Sequence, residues 1–258
     1  MDAARGGGVV SFLHDVLRWF ANGDHWHGKE GIPHLVVQHL EISAVSLAVA
    51  ALVALPVGLV LGHLRRGGFA AVNVSNVGRA LPSLAILLLA VLAFGIGAPP
   101  ALFRGVGIGS VPTFIALVAL AIPPMLTNTY VGVANVEADL REAARGMGMS
   151  GGDMLRRVEL PVALPLIMAG IRTSAVAVVA TATLAAYVGW GGLGRYIIDG
   201  LAVSDNVRVF AGALLVAVLA IVVELALAGV QRLVVSPGLR GGAGPVERVR
   251  EQPAPVNA

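Results

Sequence analysis

The chain has 258 residues, 57% of them hydrophobic and 13% charged, with a mean hydropathy of +0.83. Soluble domains carry about 25% charged residues, so this much apolar mass excludes a single soluble core and points to an integral membrane protein. There is no cysteine, which removes disulfides, thiol catalysis and cysteine-ligated metals; the net charge is +3, and the only lysine, Lys29, lacks the glycine run of a phosphate-binding loop.

The first segment, residues 1–40, opens with Val9, Phe12, Leu13, Val16, Leu17 and Phe20 at helical spacing, interleaved with His14, Asp15 and Arg18. That stretch is too short and too charged to span a bilayer, and reads as an interfacial amphipathic helix with Trp19 and Trp26 at headgroup depth. His25, His27, His34 and His39 follow without carboxylates in a ligand spacing, so no metal site is expected.

A bilayer core of about 30 Å needs about 20 apolar residues in helix. Reading between charges places five spans in residues 41–235: Ile42–Gly62, Ala80–Gly97, Val111–Val133, Thr173–Val188 and Val209–Val230. Arginine collects after the first span (Arg65, Arg66), between the third and fourth (Arg141, Arg145, Arg156, Arg157, Arg172) and after the fifth (Arg232, Arg240, Arg248, Arg250). Short connections rich in Lys and Arg stay cytoplasmic, so the amino terminus is expected outside and the carboxyl terminus inside. Residues 236–258, rich in Pro, Gly and charge, read as a disordered cytoplasmic tail.

Ala50, Ala54, Gly58 and Gly62 form a small-residue stripe on the first span, the pattern that lets helix backbones approach closely in lipid. Pro56, Pro82 and Pro123-Pro124 imply kinks or unwound turns, which suit a translocation bundle better than a static anchor. The letters Gly189-Trp190-Gly191-Gly192-Leu193-Gly194 match a dinucleotide fingerprint, but they follow a span rather than a strand and read as a flexible external turn.

The connection over residues 134–163 carries most information. Glu137 with Arg141, and Glu142 with Arg145, stand at pairing distance on a helix; Gly146 and Gly148 break it. Asp153 with Arg156 or Arg157 supports a second short helix that Pro161 closes. The object is a projecting helix–turn–helix.

This stretch resembles the cytoplasmic loop of ABC importer permeases: E-A-A, three residues, G, nine residues, an aliphatic, one residue, L-P. Glu142, Ala143, Ala144, Gly148, Leu160 and Pro161 fall in register, with Val158 where isoleucine is usual. Arg79-Ala80-Leu81-Pro82-Ser83-Leu84, Pro123-Pro124 with Asn128-Thr129-Tyr130, and Thr181 and Thr183 through Gly191-Gly192-Leu193-Gly194-Arg195-Tyr196 resemble one branch, the osmoprotectant importer permeases. The resemblance covers roughly residues 32–237. It implies an all-α, five-span, methionine-importer-like type I permease fold with cytoplasmic coupling helices. It further implies a second permease subunit, a cytoplasmic ABC ATP-binding subunit docked on the 142–161 loop, and an external solute-binding protein. Because the chain ends at Ala258, that binding protein is expected as a separate polypeptide. Surrounding lipid, no nucleic acid and no cofactor complete the expectation.

Residues expected along the translocation path are Pro82, Ser83, Asn128, Tyr130, Thr181, Thr183, Tyr187 and Glu224. Tyr130 and Tyr187 are the only Tyr or Trp within the expected spans, so a tight aromatic cage for an onium solute is not expected here. A secondary carrier or channel would want titratable groups in its spans, and Glu224 is the only acid there. Three readings of Glu224 stay open: structural pairing, solute attraction, or proton coupling.

Overall fold

The computed structural model describes residues 8–69, 73, 76, 78, 80–94, 110–236 and 238. Among the described residues these helices set the frame: α1 (Val9–Ala21), α2 (Ile32–Leu64), α3 (Ser83–Phe94), α4 (Ser110–Ala134), α5 (Ala138–Gly146), α6 (Gly151–Val188), α7 (Gly194–Ala202) and α8 (Asn206–Val234). Four are long and apolar enough to cross a bilayer: α2, α4 from Val111, α6 and α8. The second expected span appears as α3, and the rest of that span, with Arg104, lies outside the described residues, as does the tail beyond Gly238.

α4 is the central pillar. α2 and α6 pack along it, and the main core gathers Ile42, Ala50, Ala54, Leu117, Ala121, Met125, Val178 and Trp190. The stripe on α2 explains the close approach. Ala50, Ala54, Gly58 and Gly62 are all buried. A Cβ on Gly58 would stand 2.7 Å from Thr129 Cβ, and one on Gly62 2.7 Å from Val133 Cβ. With lipid supplying no hydrophobic drive, this backbone-to-side-chain contact is where the two helices gain their dispersion energy. Leu52, Val53, Val57 and Val60 on α2, and Val218, Ile221, Val222 and Leu225 on α8, stay exposed as outward apolar faces.

Four expectations change. α2 begins at Ile32, ten residues before the expected first span, so His39 lies inside the helix, buried, with Nε2 2.8 Å from the Val179 carbonyl. Of the kinks or unwound turns expected at the prolines, unwinding does not occur in α2 or α4: both helices run through them, and Asn128 Nδ2 donates to the Pro124 carbonyl.

Pro161 does not close a helix. α6 runs continuously from Gly151, because residues Leu155–Glu159 form a π turn in which the Leu160 N–H bonds to the Leu155 carbonyl. The wider turn absorbs a proline that an unbroken i→i−4 ladder would reject. In consequence Arg172 is not a flanking arginine: it lies thirteen residues beyond Glu159 in the same helix.

Finally, the Gly189–Gly194 segment is a packed turn, not a flexible one. Trp190 is 1% exposed and Leu193 fully buried. A Cβ on Gly194 would stand 2.2 Å from the Thr183 carbonyl oxygen, so the backbone itself fills the site. Beside it α1 rests on α7 and α8, with Trp19 edge-on to Tyr196 and Phe12 edge-on to Phe210. Burial holds the Tyr196 phenol above its ordinary pKa, and its hydroxyl donates to the Glu30 carbonyl.

Candidate functional site

The loop between α4 and α6 builds its own geometry. α5 is alanine-rich, with Asp139 in its first turn and Arg145 in its last, both complementary to the helix dipole. It ends in a Schellman arrangement: Met149 N–H bonds to the Ala144 carbonyl and Gly148 N–H to the Arg145 carbonyl. That requires a left-handed residue, and Gly148 supplies it at φ +78°. Ser150 then caps α6 by accepting from Asp153 N–H, while its hydroxyl donates to the Asp153 carboxylate. Asp153 pairs with Arg157 at 3.6 Å.

Glu142, Ala143, Arg145 and Gly148 are exposed, and Ala144 is buried against the body of the protein. Leu160 is half-buried and Pro161 exposed at the start of the membrane-crossing part of α6. The motif residues therefore divide into a presented face and an anchored one.

The anchor is a residue the sequence reading missed. Glu159 is fully buried where α2, α5 and α6 meet. His63 Nδ1 donates to its Oε2 at 2.6 Å, and Arg141 Nη2 stands 2.8 Å from its Oε1. The Arg141 contact is a Coulombic pairing: Nη2 donates one N–H to the His63 carbonyl at 2.9 Å, and Glu159 Oε1 accepts no hydrogen bond. Arg65, left-handed at φ 50°, donates to the Val136 carbonyl at 3.0 Å. So Arg141 turns inward to Glu159 instead of pairing along the helix with Glu137. A cleft of about 200 Å³ lined by His63, Arg65, Arg141, Glu142 and Arg145 opens beside this cluster.

The residues expected along a path do not form one surface. Ser83 and Thr181 line one small cavity with Thr113 and Leu184. Asn128 sits where Gly170 brings α6 onto α4; a Cβ on Gly170 would be 2.7 Å from Asn128 Cβ. Tyr130 places its hydroxyl under Gly68. Thr183 turns its hydroxyl to the Ala180 carbonyl, Pro82 is exposed ahead of α3, and Tyr187 is exposed at the far end of α6.

Glu224 lies elsewhere, paired with Arg172: Nε donates to its Oε1 at 3.1 Å and Nη2 to the same oxygen, while Nη1 donates to Gln231 Oε1 at 2.7 Å. Structural pairing is thus present, and its partner comes from a different span. The early histidines are each engaged locally: His25 stacks on Trp19, His27 meets the Gly23 carbonyl and His34 meets Gln38.

Four helices of bilayer-crossing length, with a helical loop anchored by buried charge at one end, describe a multi-pass membrane protein. Residues 54–236 match the family described as binding-protein-dependent transport system inner membrane component, and the chain belongs to that family. It is a transmembrane permease component.

Over 204 residues it is 41% identical to the glycine betaine/carnitine/choline transport system permease protein OpuCB of Bacillus subtilis, covering 79% of this chain and 88% of that one. Over 203 residues it is 40% identical to the choline transport system permease protein OpuBB of the same organism, with the same coverages. The carnitine transport permease protein OpuCB of Listeria monocytogenes is 40% identical over 190 residues, 74% of this chain and 82% of that one. In fold it matches the inward-facing MetNI methionine ABC transporter, with a TM-score of 0.63 at 21% identity over 77% of this chain and 94% of that chain.

Proposed function

We propose that this chain is the membrane-crossing subunit of an importer for a small osmoprotectant such as glycine betaine, choline, carnitine or proline. Support comes from relatives at 40–41% identity whose names specify such solutes. The observation that carries the mechanism is the Glu159 cluster: the short helix α5 is held by buried charge to the two membrane-crossing helices α2 and α6. A permease without a nucleotide site of its own needs such an element, because an ATPase can then move it as a body and the movement reaches the bilayer.

In this reading the loop end faces the cytoplasm, the amino terminus lies outside, and the exposed Glu142, Ala143 and Gly148 meet the ATP-binding subunit. Glu142 would bring charge-assisted contacts to that surface. A second permease subunit completes the pore, an external binding protein delivers the solute, and Ser83 and Thr181, which share one cavity, lie along the path.

Purification of the tagged chain from its native membrane tests this. An ABC ATPase and a solute-binding protein should co-purify, and proteoliposomes holding all of them should take up radiolabelled glycine betaine or choline only with ATP. A chain that purifies alone, or uptake driven by an ion gradient without ATP, overturns the reading.

A further inference from the structure

α6 from Leu160 to Val188 carries one charged residue, Arg172, and α8 from Val209 to Gln231 carries one, Glu224. The two meet. Counting at 1.5 Å per residue, Glu224 stands about 12 Å along the helix from Arg232, well inside the apolar stretch. Their side chains are 29% and 35% exposed, and they face a groove of about 520 Å³ shared with Ala169, Thr173 and Val176. Hydrocarbon cannot cover a partly exposed ion pair, since neither ion finds a replacement for its lost hydration there. This face therefore looks onto water or protein, unlike the apolar outward faces of α2 and α8.

The pair is also incompletely satisfied. Arg172 spends Nε and Nη2 on a single oxygen of Glu224, Oε1, and Nη1 on Gln231. Among the described residues Glu224 Oε2 accepts nothing, and two of the five guanidinium N–H groups have no acceptor. A carboxylate oxygen and guanidinium N–H groups thus stand side by side, both open to one groove whose other walls are short or apolar side chains.

We propose that the Arg172–Glu224 pair is a transit site for a small solute carrying a quaternary ammonium, with or without a carboxylate. The ammonium head, which has no hydrogen to donate, rests against Glu224 Oε2 with its methyls on Ala169 and Val176. A carboxylate, where present, takes the free N–H groups of Arg172. No aromatic ring lines the groove, so contact is Coulombic and weak, as release into the cell requires. The inference rests on the permease reading and deepens it.

The test uses the full importer in proteoliposomes, comparing initial ATP-driven uptake of choline, a cation, with that of glycine betaine, a zwitterion. Glu224→Gln should lower choline uptake at least tenfold and glycine betaine uptake only a few-fold. Arg172→Gln should reverse the order, with glycine betaine losing more. ATPase activity of the assembled complex reports whether each variant is intact. Equal loss of both solutes, or an unchanged ratio, overturns the site. If both variants fail to assemble, Ala169→Leu crowds the wall on which the ammonium methyls rest without removing either charge. It should lower uptake of both solutes several-fold with ATPase activity kept, and unchanged uptake overturns the site. A wild-type importer that carries neither solute overturns the underlying osmoprotectant reading instead.

Discussion

Arg141 and Glu159 lie eighteen residues apart in sequence and 2.8 Å apart in space, in the buried junction of α2, α5 and α6. Neither charge has water to return to, so each is tolerable only because of the other, with His63 closing the second carboxylate oxygen. The pairing gives the projecting loop a fixed base.

Glu159→Gln should therefore destabilise strongly. Leaving one partner of a buried pair uncompensated costs about 3–5 kcal/mol. Less folded protein in the membrane, and thermal aggregation in detergent at a clearly lower temperature than wild type, are the expected results. His63→Ala should cost less, because Arg141 stays paired. Equal stability of Glu159→Gln and wild type would mean the cluster is not an anchor.

Gly148→Val acts without touching any neighbour, since a Cβ there meets nothing within 4 Å. The penalty is conformational: a β-branched residue at φ +78° costs about 1–2 kcal/mol, and the turn relaxes to avoid it. Insertion and yield should stay normal while the ATPase is lost on purification, or hydrolyses ATP without transport. Normal uptake with normal ATPase retention would remove the turn from the coupling route.

Gly62→Leu tests helix approach rather than coupling. Its side chain would be driven into Val133, whose Cβ stands 2.7 Å from the position of a Cβ at residue 62. Overpacking of this kind costs about 1–3 kcal/mol, and more where backbone must shift. A fall in folded yield is expected, and a thermal transition within a degree of wild type would show that α2 and α4 part freely.

Topology can be read directly in this cysteine-free chain. Ser150→Cys and Ser204→Cys both fall at exposed positions on opposite ends of the bundle. A membrane-impermeant maleimide should label residue 150 only from the cytoplasm and residue 204 only from outside. The reverse pattern would invert the orientation.

Local pattern made much of this fold legible. The four-residue recurrence of Ala50, Ala54, Gly58 and Gly62 marked the packed face of α2, and that face is buried against α4. The left-handed turn at Gly148 was visible because only glycine adopts it cheaply. What failed had a distant cause. Spacing rules paired Arg141 with Glu137 because a helix places them together; the actual partner, Glu159, comes from another helix. Reading every charge as a span boundary put Arg172 at the membrane edge, and its partner fifty-two residues on is what lets it lie inside. Pro161 misled for a backbone reason, since a π turn is not written in any one residue type.

The unbroken run of α6 has a mechanical consequence. At 1.5 Å per residue, residues 151–181 are about 46 Å long, continued by a 3-10 turn over Ala182–Val188, and a tilt of about 5° about its midpoint moves the two ends about 2 Å in opposite directions. One end carries the Ser150–Asp153 cap beside the presented loop; the other carries Tyr187 and leads straight into the buried Trp190. If a partner pushes on the first, an α6 that moves as one body delivers the movement at the second with its sign reversed.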